Sequence, residues 1–309
     1  MKRHAYLIMA HNNFKILEKL LTLLDDSRND IYLHIDHKVK NVDCSTFKKN
    51  VCKSKLYIFQ KYNIAWGGSS SIRCELFLLN VSAKHHYEYY HLISGADFPL
   101  KNQDMIHSFF NKNKGKEFIQ FNDAFLNTNT HIYRRLSLYH LLQEYKNRTP
   151  IRLINYMIAL IDNTLLAIQI LLRVDRIKRQ KITLKYGSNW FSITDDLVQY
   201  VLKKSHWIIS TFQKTKCADE LFLQTTIYLS PFMNSLYDTS FDGNYISNMR
   251  MIDFERSKCT EHPHIWTSKD YDELTSSDFL FARKFDETVD YNIIERLYNK
   301  LLLSTTEER

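Results

Sequence analysis

Short apolar runs alternate along the first hundred positions with stretches whose apolar residues recur every three or four places. "AYLIMA" (Ala5 to Ala10) reads as a buried strand. Ile16, Leu17, Leu20, Leu21 and Leu24 then line one face of a helix capped by Asn12 or Asn13. "DIYLHID" is a second strand ending at Asp36, and the three pieces make a βαβ unit. "KLYIF" predicts a third strand and "SSSIRCELFLLNVSA" a helix begun by serines. "YYHLISGADFPL" predicts a fourth strand running into a polar loop that Pro99 terminates. This alternation predicts an α/β fold with a mixed, mostly parallel central sheet flanked by helices. With no linker-like or repetitive tract, residues 1–309 read as one domain.

Ligands of open α/β sheets sit at the carboxyl ends of the strands. The polar residues at those ends are His11 after the first strand, Asp36 after the second, Trp66 with Gly67 and Gly68 after the third, and Ser94 with Asp97 after the fourth. Each taken alone is an ordinary turn residue; together they mark a binding edge. Neither a G-x-G-x-x-G loop nor a P-loop is present, so phosphates must be met by side chains. Late cations offer them: Arg250 on the short strand of "NMRMIDF", and Arg283 and Lys284 in "SSDFLFARKFD". Arg283 also reads as a solvated surface cation.

"CADELFLQT" places Asp219 and Glu220 directly before a buried apolar run. Helix capping and dipole complementation explain such a pair, and so does carboxylate chemistry at a site.

Composition narrows the partners. A net charge of +8 points to an anionic partner, either nucleic acid, an anionic membrane surface or a phosphorylated small molecule. The basic residues are dispersed and form no nucleic-acid module, so no nucleic-acid partner is expected. The cysteines Cys44, Cys52, Cys74, Cys217 and Cys259 are odd in number and lack a C-x-x-C pair, which argues against a disulfide framework and against structural zinc. The amino-terminal apolar run is too short for a signal peptide, and the chain is expected in the cytoplasm. One stretch stands apart. Between Pro150 and Arg173 an apolar run is interrupted by Arg152, Asn155, Asp162, Asn163 and Gln169, then followed by the basic "VDRIKRQK". It reads as too interrupted to span a bilayer. It is either a core helix pair or a monotopic surface on the anionic inner face of the plasma membrane.

"HAYLIMAHNN", "DIYLHIDHK", "AWGGSS", "LISGADFPLK", "GSNWFSIT", "DELFLQT" and "FLFARKFD" follow one another across nearly the whole chain. In this order they resemble the glycosyltransferase family of core-2 and I-branching β-1,6-N-acetylglucosaminyltransferases and peptide O-xylosyltransferases, of which this chain looks like a bacterial member. The resemblance implies a GT-A fold and inverting transfer from a UDP-sugar without a divalent metal or other cofactor. The place of the metal-binding Asp-x-Asp is taken by "SGADF", which offers only Asp97. By the same resemblance Glu220 is the catalytic base, with Asp219 the cap that fixes it, and Arg250 and Lys284 neutralise the UDP diphosphate. Ala10, His11, Asp36 and Trp66 match the uracil and ribose site, and Ser94 and Asp97 the donor-sugar site. Ser188 and Trp190 of "GSNWF" match the acceptor side, to which Arg134, Arg135 and Tyr139 are added from "HIYRRLSLYH". The implied acceptor is a glycan or lipid-linked oligosaccharide of bacterial surface polysaccharide synthesis. A non-catalytic nucleotide-sugar or glycan-binding protein on the same fold is the alternative.

Overall fold

The computed structural model describes residues 3–146, 149, 151–257 and 262–307; Cys259 lies outside them. Five strands, β1 (His4–Ala10), β2 (Asn29–Ile35), β3 (Lys55–Phe59), β4 (Tyr89–Ser94) and β6 (Ser192–Thr194), form the main sheet in the order β3-β2-β1-β4-β6. The first four run parallel and β6 pairs antiparallel with β4. The sheet is therefore mixed and mostly parallel, as the sequence pattern predicts.

Both faces are covered, which is why these strands are apolar almost throughout. Alternate residues feed two cores. Leu7, Tyr32 and Leu92 point to one face, with the Ser70–Ser82 helix. Ile8, Leu33 and Ile93 point to the other, with the Phe14–Leu24 helix.

The polar loop expected after the fourth strand contains a short strand of its own. After β4 the chain turns at Gly95 and Ala96, and β5 (Asp97–Pro99) joins a second sheet with β8 (Phe281–Arg283) and β7 (Arg250–Ile252), in the order β5-β8-β7. A side chain at Gly95 would come within 2.9 Å of the Ala10 Cβ, so the turn needs glycine where β4 leaves the sheet beside β1.

Two helix starts near the site depart from the local expectation, although Asn102, Asp175 and Thr194 cap theirs in the ordinary way. Asn13 does not cap the Phe14–Leu24 helix, because its side chain is spent on the Phe285 carbonyl and the Glu287 amide. Glu287 instead accepts from the Lys15 and Ile16 amides. At the Ser70–Ser82 helix the Ser70 amide donates to Glu144 (2.7 Å). At these two helices distant carboxylates satisfy the orphan amides that adjacent side chains would ordinarily meet.

The Pro150–Arg173 stretch corrects the core-helix reading. Arg152–Leu171 is one unbroken helix of 20 residues whose only buried side chain is Asp162. By length and composition alone it is the one helix among the described residues able to cross a membrane, so its polar residues do not interrupt it as expected.

Candidate active site

A cavity of about 390 Å³ opens at the carboxyl ends of the strands. Ala10 and His11 reach it from β1, Asp36 from β2, Trp66 from the loop after β3, and Ser94 from β4. Parallel strands release their chains at this edge, so residues far apart in sequence converge here. Asp36 is buried; its Oδ1 accepts from the Lys38 amide (2.8 Å) and its Oδ2 from the Ile64 amide (3.2 Å). His11 is held below its usual pKa by burial and by the cations Lys284, Lys38 and Arg283, with Asp36 opposing them. Trp66 is 57% exposed at the cavity edge.

The second wall is built from the 186–190 and 217–220 segments. The Gly187 amide donates to the Glu220 carbonyl (3.0 Å) and the Ser188 amide to Gln120 Oε1 (2.6 Å). A Cβ on Gly187 would fall 1.9 Å from the Gln120 carbonyl oxygen, so only glycine lets the 186–190 segment pass this close to the Gln120 backbone. Glu220 and Asp219 both line the cavity. They stand in a single 3-10 turn, Ala218–Glu220, ahead of the Phe222–Ile227 helix. Asp219 is therefore not the helix cap expected of it; Leu221 holds that position with no side-chain bond.

Charge around this turn is dense. Glu220 accepts from Arg135 Nη1 at 2.5 Å. Burial pushes the Glu220 carboxyl up and Arg135 pulls it back. Asp219 is pushed up to about 7, first by burial and then by its neighbour Glu220. Beneath them, on the Ser70–Ser82 helix, Glu75 is fully buried with neither carboxyl oxygen hydrogen-bonded. Burial and then Asp219 raise its pKa well above the usual carboxylate value. Of the three acceptor-side residues in "HIYRRLSLYH", only Arg135 touches the turn. Arg134 is exposed, and the Tyr139 ring lies under the Arg176 guanidinium, 4.6 Å away.

The late cations separate. Lys284 lines the cavity, its pKa lowered by burial and then by Arg283. Arg250 does not reach it. Its guanidinium is buried and donates to the carbonyls of Asn248 (2.5 Å) and Phe191 (2.8 Å) and to Ser192 Oγ (2.9 Å), over the Phe281 ring. Arg283 stands in its place at the cavity, so the surface reading of Arg283 gives way. Asp97 lies opposite Arg283 across the β5–β8 pair. Its Oδ1 accepts from Arg283 (2.6 Å) and from Ser94 Oγ (2.7 Å), and its Oδ2 from the Ser94 amide (2.9 Å). Asp97 thus stands behind the wall and fixes Ser94 and Arg283, which do line it. Arg283 also covers one face of the Trp190 indole, 4.4 Å from the ring.

Sequence reading gave Asp219 only a capping role and missed Lys38, Gln120, Tyr186 and Tyr245 as cavity residues. Lys38 was findable, two places beyond the strand-end Asp36; nothing local marks Gln120, Tyr186 and Tyr245.

The Core-2/I-Branching enzyme family model matches residues 4–279. Xylosyltransferase 2 from Canis lupus familiaris is 23% identical over 321 residues, covering 96% of this chain and 33% of that protein. The Homo sapiens xylosyltransferase 2 is 23% identical over 324 residues, with the same coverage of 96% and 33%. The chain thus spans 33% of the length of the curated relatives it matches. Among solved structures, mouse xyloside xylosyltransferase 1 in its apo form aligns with a TM-score of 0.34 at 8% identity, over 74% of this chain and 83% of that one. The apo-form glycosyltransferase GlyE of Streptococcus pneumoniae TIGR4 aligns with a TM-score of 0.27 at 11% identity, over 42% of this chain and 31% of that one. With the family model running from residue 4 to residue 279, the chain belongs to the Core-2/I-Branching enzyme family.

Proposed function

We propose that this chain is an inverting glycosyltransferase that moves a sugar from a UDP-sugar to a hydroxyl of a glycan acceptor. The observation that carries the reading is the placement of the Glu220 carboxyl in one cavity with Asp36, Arg283 and Lys284, oriented there by Arg135. Inversion at an anomeric carbon asks for one carboxylate that removes the acceptor proton as the hydroxyl attacks from the face away from the leaving group. Burial brings the Glu220 pKa toward the working pH, while the Arg135 contact keeps the ionised form available.

The departing diphosphate needs positive charge. Arg283 and Lys284 supply it in this reading, and Arg250 acts by holding the Phe191–Ser192 backbone rather than by touching phosphate. Metal-independent transfer is supported by the state of Asp97, whose oxygens are committed to Ser94 and Arg283. Such a residue is a poor ligand for Mg²⁺ or Mn²⁺. Asp36 retains acceptor capacity for ribose hydroxyls, Trp66 offers a flat exposed ring to uracil, and Ser94 faces the donor sugar. On the acceptor side Ser188 offers its hydroxyl, and Trp190 leaves only the indole face opposite Arg283 to a sugar ring. The products fitting these parts are a bacterial surface polysaccharide or a lipid-linked oligosaccharide made at the cytoplasmic face of the membrane.

Screening UDP-sugars for donor-dependent turnover, in wild type and in Glu220→Gln, tests the reading. Gln keeps the shape but takes no proton, so turnover should fall roughly 10²–10⁴-fold with donor affinity little changed. Wild-type turnover should survive excess EDTA. Near-normal turnover in folded Glu220→Gln removes the base assignment, and donor binding without any turnover points to the non-catalytic binding protein.

A further inference from the structure

The Arg152–Leu171 helix is fastened to the body along a single narrow stripe. Asn155 Nδ2 donates to the Thr149 carbonyl (2.7 Å). Asp162 pairs with Lys146 (2.6 Å) and accepts from the Leu142 amide (3.4 Å). Gln169 accepts from the Tyr139 amide (2.7 Å) and donates to its carbonyl (3.0 Å). These three polar residues recur every seventh position, a repeat that stays on one side of a helix with a drift of only about 20° per step. Three of the five polar residues that sequence reading took for interruptions form the attachment seam.

Leu153, Met157, Leu160, Ile168 and Leu171 point away from the seam, with Leu153 70% and Leu171 82% exposed. Thr164 on that side turns its hydroxyl back onto the Leu160 carbonyl (2.9 Å), leaving Asn163 as the polar side chain beside it. A face of this size, unbroken by charge, marks an interaction surface. Around it Arg152, Arg173, Lys178, Arg179 and Lys181 are exposed, while Asp162 is buried in its ion pair and Asp175, which caps the Arg176–Gln180 helix, lies 3.7 Å from Lys178. Arg176, at the same end, is not part of this basic rim. It is buried against the carbonyls of Leu138, Lys214 and Thr211.

We propose that this helix lies flat on an anionic lipid leaflet, with its apolar face in the acyl boundary and the basic rim on lipid phosphates. Charge chooses the occupant. A second copy docked antiparallel would set Arg152 of one helix against the basic end of the other, with no exposed acid to meet either. A spanning arrangement would tear the helix from two side-on anchors to the body, Asp162 on Lys146 and Leu142 and Gln169 on Tyr139. The seam also carries a consequence for the site. The 139–146 segment it grips sends Gln143 to the Trp66 carbonyl (3.0 Å) and Glu144 to the Ser70 amide (2.7 Å), so the helix that meets the leaflet on one side holds on its other side the segment that braces the cavity edge. The docking itself does not depend on the transfer chemistry.

The test is co-sedimentation of the full chain with vesicles of phosphatidylcholine alone or carrying about 30% phosphatidylglycerol. Binding to the anionic vesicles only is expected, with release as salt rises from about 0.1 to about 0.5 M. Each basic side chain near the surface is worth roughly fivefold, so Lys178→Glu with Arg179→Glu should weaken binding at least ~25-fold. Leu153→Ser, Leu160→Ser and Leu171→Ser combined should abolish binding while leaving the melting temperature unchanged, since those side chains touch solvent. Failure of the wild type to bind either vesicle overturns the proposal. So does retained binding in the triple-serine protein, or self-association that the same substitutions abolish in a chain that ignores lipid.

Discussion

Two stretches of this chain look alike on paper and end in opposite environments. "AYLIMA" becomes β1, with Ile8 fully buried between β2 and β4. "LINYMIALI" becomes the long helix, with Leu160 49% exposed. The difference lies in how each element satisfies its backbone. A strand needs neighbours for its amides and carbonyls, so β1 is drawn into the sheet centre and its side chains are buried by position. A helix satisfies itself, and what docks it is whichever side chains find partners. Here the partners are found by Asn155, Asp162 and Gln169, and the apolar face is left outward. Apolar composition therefore marks the interior by position in a central strand, whereas in a helix it does so only on a face that packs, as Ile16, Leu17 and Leu20 do and Leu160 does not.

The largest expected effect breaks the comparison if it fails. Ile8→Ala should cost about 2–5 kcal/mol in urea unfolding, from lost transfer energy plus a cavity that a two-sided sheet cannot close. Next comes the seam. Asp162 is buried and pairs with a partly covered Lys146. Asp162→Asn keeps the shape but strands that cation, and should cost about 1–3 kcal/mol, with the 139–146 segment exchanging its amides faster. No loss at position 162 would mean that the helix is held by something other than its polar stripe.

The cavity was legible where topology does the placing. His11, Asp36 and Ser94 were readable because a parallel sheet brings its loops to one edge. Arg250 and Arg283 were not separable by the same means. Both sit in three-residue strands, too short for alternation to show which side faces the ligand. The residue that decides for Arg283 is Asp97, opposite it in the β5–β8 register and 186 positions away in sequence. Asp219 was misassigned for a related reason. Cap preference is a local statistic, whereas the 217–220 turn is set by contacts such as the Cys217 amide on the Gly67 carbonyl (2.8 Å). The long helix was misread because a periodic polar stripe was counted as scattered polarity.

Asp219 gives an intermediate effect with a pH signature. Its pKa stands at about 7 in the folded chain, above the ordinary value of 3.8, so the folded state binds more protons between these values. Stability from this group is then present at low pH and lost as pH rises through about 7. Asp219→Asn removes the ionisation and should raise the melting temperature more at about pH 8 than at about pH 5. An equal change at both pH values would mean that the carboxyl is solvated in the cavity and ionises normally.

The smallest expected effect is the most informative about the helix. Leu160→Ala in the lipid-free protein removes a side chain that is half exposed on the face away from the seam. Two terms oppose each other there. Residual contact with the flanking turns is lost, while alanine is the better helix former by a few tenths of a kcal/mol. The unfolding free energy should stay within about 0.5 kcal/mol of wild type, against the several lost at Ile8 for a comparable truncation. A loss at Leu160 approaching that at Ile8 would show that the outward face is covered in solution, and the contrast between the two stretches would vanish.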